Sequence, residues 1–226
     1  AGMNVAFLSA FDDPSTSVSG SNHPAFAIAR AQRDLGSDSR IGLLYTDRED
    51  NQNYNRVLGT DTRLVFDKIY TLSAQLAGSQ TQRGGGSFAG SLWNLAFDRN
   101  GRTFGLNYSI RAIDPNFKTQ SGFISHGNIA NINLSHRISL LGKQDALVEN
   151  FSGVVGLIGE WQYRRLLGGD DFQNRKLHFD LAATLHGGWQ LGASVYSEVF
   201  GYDPSIFTDY RVVVPGAIAG MDTVQF

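Results

Sequence analysis

Four side chains late in the chain are the first candidates for chemistry. His178, Asp180, Thr184 and His186 recur at every second or fourth position, and alternate residues of an extended backbone share one face. His178 and Asp180 therefore reach toward a common point across one pleat. That spacing suits a pair of metal ligands, and it equally suits a hydrated polar surface; no metal is assigned. A second set offers oxygen atoms: Asp170, Asp171 and Asn174 lie just beyond Gly168-Gly169, and Asp12 is followed by Asp13. These are candidate loop ligands for calcium or another polar ligand, although neither set has the spacing of an EF-hand. The run Gly84-Gly85-Gly86-Ser87 lacks the lysine and the following helix of a phosphate-binding loop. No Gly-x-Ser-x-Gly elbow is present, and the absence of cysteine excludes thiol nucleophiles, disulfides and iron–sulfur ligation. No catalytic residue is assigned and no cofactor is expected.

The remaining candidates are isolated charges and amides: Arg30, Asp61, Arg63, Asn107, Arg111, Glu160 and Arg164. Their meaning depends on the elements that carry them. Between residues 102 and 112, Phe104, Leu106, Tyr108 and Ile110 alternate with Thr103, Gly105, Asn107, Ser109 and Arg111, the mark of a strand with one apolar and one polar face. The pattern recurs at 60–66, 70–79, 87–98 and 176–186, and more weakly at 3–10, 25–34, 40–46, 124–138, 154–165, 189–199 and 210–214. About twelve strands result. No stretch carries helical apolar spacing between an N-cap and a closing glycine, so the chain reads as all-β and as a single domain or barrel segment over 1–226.

The links between these strands alternate in length. Long polar ones are expected at 11–23, 47–55, 78–87, 113–121, 166–175 and 200–209, and tight ones at 36–39, 67–68, 99–101 and 187–188, with 139–146 longer than its class. Asn100-Gly101 suits a type I′ turn. An antiparallel up-and-down meander produces this alternation, and so do outer-membrane barrels, which have short turns on one side and long loops on the other.

Composition decides which way the apolar face points. The chain has 226 residues, 42% hydrophobic and only 18% charged, with 26 Gly and a net charge of −2. Near-zero charge without a basic stripe argues against nucleic acid as a partner. No apolar run approaches the roughly 18 residues of a spanning helix, but a barrel strand shows lipid only every second side chain and escapes that test. The polar face holds mainly Gly, Ser, Thr, Asn and Gln, and Lys occurs only four times, whereas a water-facing sheet is normally rich in charge. Tyr45, Phe66 with Tyr70, Phe97 with Phe104, and Trp161 with Tyr163 fall toward strand ends on the apolar side, as interfacial girdles do. The expected fold is an antiparallel up-and-down transmembrane β-barrel. Arg30, Asp61, Arg63, Asn107, Arg111, Glu160, Arg164, His178, Asp180 and His186 then line its lumen, either as a stiffening charge network or as a constriction that selects solutes. Loop aromatics Tyr54, Phe117, Phe172, Tyr202 and Phe207 serve as packing plugs or as sugar-stacking platforms.

Several segments resemble an uncharacterised bacterial domain, the C-terminal β-barrel region of proteins that carry a family 9 carbohydrate-binding-like module. They are Ile28-Ala29-Arg30 with Arg33-Asp34-Leu35-Gly36, Ser39 through Thr46, Asn55 through Asp61, and Tyr108 followed by Ile113-Asp114-Pro115-Asn116-Phe117 and Ser121-Gly122-Phe123-Ile124. Together they fall within about the first 140 residues. The resemblance implies a bacterial outer-membrane barrel with the lipid bilayer as partner and a binding module upstream in its parent, and so a link to glycans or small solutes. The alternatives are a soluble β-sandwich that binds carbohydrate, or part of a glycan-processing enzyme with carboxylates such as Asp170 and Asp203. A segment of a larger barrel is also expected, because Met3 starts almost inside a strand and 220–225 break the alternation before Phe226.

Overall fold

The computed structural model describes residues 2–143, 145–168, 173–201, 212–213 and 223–224. Eleven strands follow one another: β1 (Met3–Phe11), β2 (Ala25–Leu35), β3 (Ser39–Asp50), β4 (Asn53–Phe66), β5 (Tyr70–Arg83), β6 (Gly86–Asn100), β7 (Phe104–Ile113), β8 (Ile129–Leu141), β9 (Val148–Trp161), β10 (Asn174–Leu185) and β11 (Gln190–Val199). Each pairs antiparallel with the next in sequence, forming one up-and-down sheet. Among the described residues the sheet is not closed: there β1 pairs only with β2, and β11 only with β10. The expected twelfth strand at 210–214 does not extend it, since Val212–Val213 (β12) pairs instead with Thr223–Val224 (β13). A 3₁₀ turn, Pro14–Thr16, and one short helix, α1 (Tyr163–Gly168), complete the described elements.

Period two explains the faces, and several connections depart from expectation. Residues 47–55 and 78–87 are not long loops, because β3 runs to Asp50, β4 starts at Asn53, β5 runs to Arg83 and β6 starts at Gly86. These strand extensions are polar on both faces, which hides their alternation. Cross-strand pairs hold them in register, with Arg56 3.2 Å from Asp47 and 2.5 Å from Glu49. The reversals are tight, taking positive φ at Asn51 and at Gly84-Gly85, the region glycine enters freely. Asp67 and Lys68 both take positive φ, as a type I′ turn requires. Asn100-Gly101 does not: Asn100 closes β6, and Arg99 donates to the Phe104 carbonyl across this corner. Strand β8 begins at Ile129, so 124–128 belong to a loop, and after Trp161 the chain turns into α1. A helix of six residues is too short to display a 3.6-residue period.

Links after odd-numbered strands gather at one end of the sheet, here called the loop end, and those after even-numbered strands at the other, the turn end. The loop end carries two very short reversals and three longer segments, 12–24, 114–128 and 162–173, while the turn end carries only short links. One layer leaves little to bury. Among the described residues the packed cluster is Val57, Ile113 and Phe117, with Ala77, Leu92, Ile124 and Ile129 against it. It lies on the polar face at the loop end. Most large apolar side chains are instead exposed on the opposite face, for example Val5 (71%), Leu58 (56%), Leu76 (56%) and Leu191 (58%).

Candidate functional site

Register carries one polar row across the sheet. Asn4, Gln32, Gly42, Asp61, Gln75, Asn94, Arg111, Asn131, Glu160 and Asn174 are successive partners on ten strands, with no large apolar residue among them. The next row, on the other face, reads Val5, Ala31, Leu43, Thr60, Leu76, Trp93, Ala112, Ala130 and Trp161. Thr60 is its one polar member, and its hydroxyl donates to the Gly42 carbonyl at 2.9 Å; Thr62 on the same face does the same to Arg40. These two hydroxyls are thereby satisfied on the local backbone.

The apolar face is bounded at both ends. At the turn end Phe66, Tyr70 and Phe97 stack at 5.4 to 6.4 Å between centroids, and the Tyr108 hydroxyl lies 2.6 Å from His136 Nε2. At the loop end Tyr45 donates to Asp47, and the Arg56 guanidinium lies 4.4 Å from the centre of the Tyr54 ring. On β4 the apolar-face positions from Leu58 to Phe66 (Leu58, Thr60, Thr62, Leu64 and Phe66) carry no charge and span eight residue steps, about 27 Å along a strand at about 3.4 Å per residue.

On the polar face the candidate residues meet particular partners. Arg30 on β2 reaches Asp61 on β4 at 2.9 Å across the intervening β3. Gly42 makes room for it, since a Cβ there would lie 2.8 Å from both Arg30 Nη2 and Asp61 Oδ2. Arg63 donates to the Asp38 carbonyl at 3.3 Å rather than pairing with Asp61. Asn107 bridges two strands, donating to Asp98 at 2.5 Å and accepting from Asn133 at 3.2 Å. Glu160 accepts from Asn174 at 2.7 Å, and Asn174 Oδ1 accepts the Gly201 N–H, so Asn174 is a strand residue already engaged rather than a loop ligand. His178 Nδ1 and Asp180 Oδ2 are 2.6 Å apart. The ring lies over Gly156, where a Cβ would collide with it. Arg111 is exposed in the middle of the polar row, with no hydrogen bond or ion pair among the described residues.

Two candidates are off this face. Arg164 is on α1, because alternation stops at Trp161. His186 follows the last residue of β10 and sits exposed in the turn, 3.4 Å from Glu149. His178, Asp180 and His186 therefore do not converge, and no group of three or more ligating side chains is placed to hold a metal among the described residues. Asp170, Asp171, Phe172, Tyr202, Asp203 and Phe207 lie outside the described residues. Asp13 caps the 3₁₀ turn through Ser15, whose backbone N–H and hydroxyl hold its carboxyl below the usual aspartate range. Phe117 is a packing plug, 5% exposed.

Loop 114–128 supplies what strand patterning misses. It leaves β7 and crosses the polar face as a strap over β6, β5 and β4. Asp114 N donates to the Ser91 carbonyl (2.9 Å), Lys118 N to Ser79 Oγ (3.1 Å) and Gln120 N to Asn55 Oδ1 (2.9 Å), while Asn55 Nδ2 donates to the Lys118 carbonyl (3.0 Å). Arg48 on β3 joins it to loop 12–24, donating to Gln120 Oε1 and to the Thr16 carbonyl, each at 3.0 Å. Asp50 holds the same loop by accepting from Ser17 Oγ and Val18 N. The strap passes directly over Gly90, where a Cβ would fall against the backbone of Asn116 and Phe117, 2.6 Å from Phe117 Cα. A glycine inside an otherwise regular strand is the sequence signal for such an approach.

No protein family, curated protein or solved structure matches this chain.

Proposed function

We propose that the chain forms the wall of a transmembrane β-barrel in a bacterial outer membrane, acting as an anchor or a passage for solutes and linked to glycan recognition or uptake. The observation that carries this reading is the inverted polarity of the sheet: large apolar side chains stand exposed on one face, while polar rows fill the other. In a sandwich the apolar faces of two sheets pack against each other; here a single layer offers them to the surroundings. The uncharged apolar-face positions of β4 correspond to about 20 Å of height at a tilt near 40°, close to the apolar band of about 25 Å seen in such barrels. The aromatic cluster at the turn end and the tyrosines at the loop end match its two girdles. The resemblance read from the sequence segments implies the same setting.

Closure follows from backbone polarity. In hydrocarbon each unpaired N–H or C=O costs several kcal/mol, so β1 and β11 need partners. Strand β1 carries neither charge nor proline on its edge, the usual devices that blunt an edge meant for water. β1 and β11 run in the same direction, so antiparallel closure takes an odd number of further strands between them. That brings the total to an even number, as in single-chain bacterial barrels.

The test is membrane partitioning. Expressed with outer-membrane targeting, the protein should float with lipid vesicles, resist alkaline extraction and require detergent to stay monodisperse. A monodisperse, strand-rich chain in plain buffer would overturn the barrel in favour of a soluble carbohydrate-binding module.

A further inference from the structure

The strap leaves a cavity of about 910 Å³ at the loop end, within the roughly 300–1,000 Å³ of small-molecule sites. Among the described residues its charged lining has one sign. Arg83, the last residue of β5, and Lys118 on the strap both line it, with His126 from the returning limb, and among the described residues no Asp or Glu does. A neighbouring hollow of about 410 Å³ shares Arg83 and adds Arg48, again without a carboxylate among the described residues of its lining. In a chain with 21 acidic and 19 basic residues, this segregation is local. Arg48 is engaged by Gln120, Thr16 and Asp50. Arg83 and Lys118 make no side-chain hydrogen bond or ion pair among the described residues. Beside them stand two exposed rings, Phe88 (48%) and Phe123 (88%), also in the lining.

We propose that this cavity binds an organic anion, its carboxylate held by Arg83 and Lys118 and its ring or apolar body lying on Phe88 and Phe123. The site is pre-organised, because the strap is anchored on β4, β5 and β6 before any ligand arrives, and ordering costs are thereby reduced. Charge-assisted hydrogen bonds to a carboxylate are about twice as strong as neutral ones, so a neutral analogue of the same shape binds poorly. The cavity lies beyond the apolar belt, and its occupancy is measurable whether or not the sheet enters a membrane.

The probe is 4-fluorobenzoate, followed by fluorine NMR line broadening on the full chain, with 4-fluorobenzyl alcohol as the neutral control. Saturable binding of the acid and not of the alcohol is expected. The double variant Arg83→Gln/Lys118→Gln should weaken it about tenfold or more, and Arg164→Gln on α1 should leave it unchanged. Both lining cations are exposed, so strand content by circular dichroism should match wild type in every variant. Equal binding of acid and alcohol, no saturable binding of the acid, or an unchanged affinity in the double variant overturns the proposal. Detergent dependence separately decides the barrel reading.

Discussion

Gly90→Ala isolates the strap from the sheet that carries it. The residue is in regular extended backbone, so alanine is compatible with β6 itself, yet its Cβ would lie 2.6 Å from Phe117 Cα and against the Asn116–Phe117 peptide. Ordinary carbon contacts are about 3.5–4 Å, so the strap must lift by roughly an ångström. Its anchors are hydrogen bonds of 2.9 to 3.1 Å to Ser91, Ser79 and Asn55, which do not survive such a shift together. Overpacking of this kind costs about 1–3 kcal/mol, which raises the open fraction of the strap about 5- to 150-fold. Limited trypsinolysis reads this directly, since cleavage after Lys118 tracks the open population when closing is fast. Cleavage at that bond, followed by mass spectrometry, should accelerate within that range in Gly90→Ala. Gly78→Ala, where nothing lies within 4 Å of the added carbon, should behave as wild type. If Gly90→Ala is cut after Lys118 at the wild-type rate while strand content is unchanged, the strap is not held by this contact and the reasoning fails.

Two further outcomes follow from the same geometry. Asp61→Asn removes the partner of Arg30, and because both side chains are about one-third exposed the loss should stay below about 1 kcal/mol in urea unfolding; a larger loss would mean that the pair is shielded from water. Asp13 has a depressed folded-state pKa, so its contribution to loop 12–24 is present above the usual value of 3.8 and is lost as pH falls through the lower folded value. The Ser15 amide signal should therefore titrate with a midpoint below 3.8, and a midpoint at or above it would refute the cap as the cause.

The parts of this fold that are legible in the sequence are those where one face is apolar and the other polar. There a one-residue slip would turn every side chain over, so pattern and register agree: residues 70–79, 87–98 and 176–185 lie in β5, β6 and β10. Legibility fails where both faces are polar. Asp47, Glu49, Tyr54, Gln80 and Gln82 read as loop because they project past the apolar belt, although the ladder continues through them. It fails again when parity is carried beyond a strand end, as at Arg164 and His186. Single-sequence periodicity says nothing of the strap, whose hydrogen bonds join residues 39 and 65 positions apart.

Three glycines separate the two faces more sharply than hydropathy does. Gly42, Gly90 and Gly156 share the polar face; the Arg30–Asp61 pair crosses over the first, the strap crosses over the second, and the His178 ring of the neighbouring strand lies on the third. Side chains on this face reach over their neighbours to find partners. On the apolar face Thr60 and Thr62 satisfy themselves on the local backbone, and the large side chains project outward. A sheet bathed by water on its polar side would gain little from clearing lanes for crossing contacts, because solvent already serves each group. Lanes cleared by glycine are useful where polar groups must satisfy one another in a confined space. This asymmetry supports the polar face as the inward one of the proposed barrel, with the strap as a fixed narrowing of its loop end and Arg111 as the open cation on the central row.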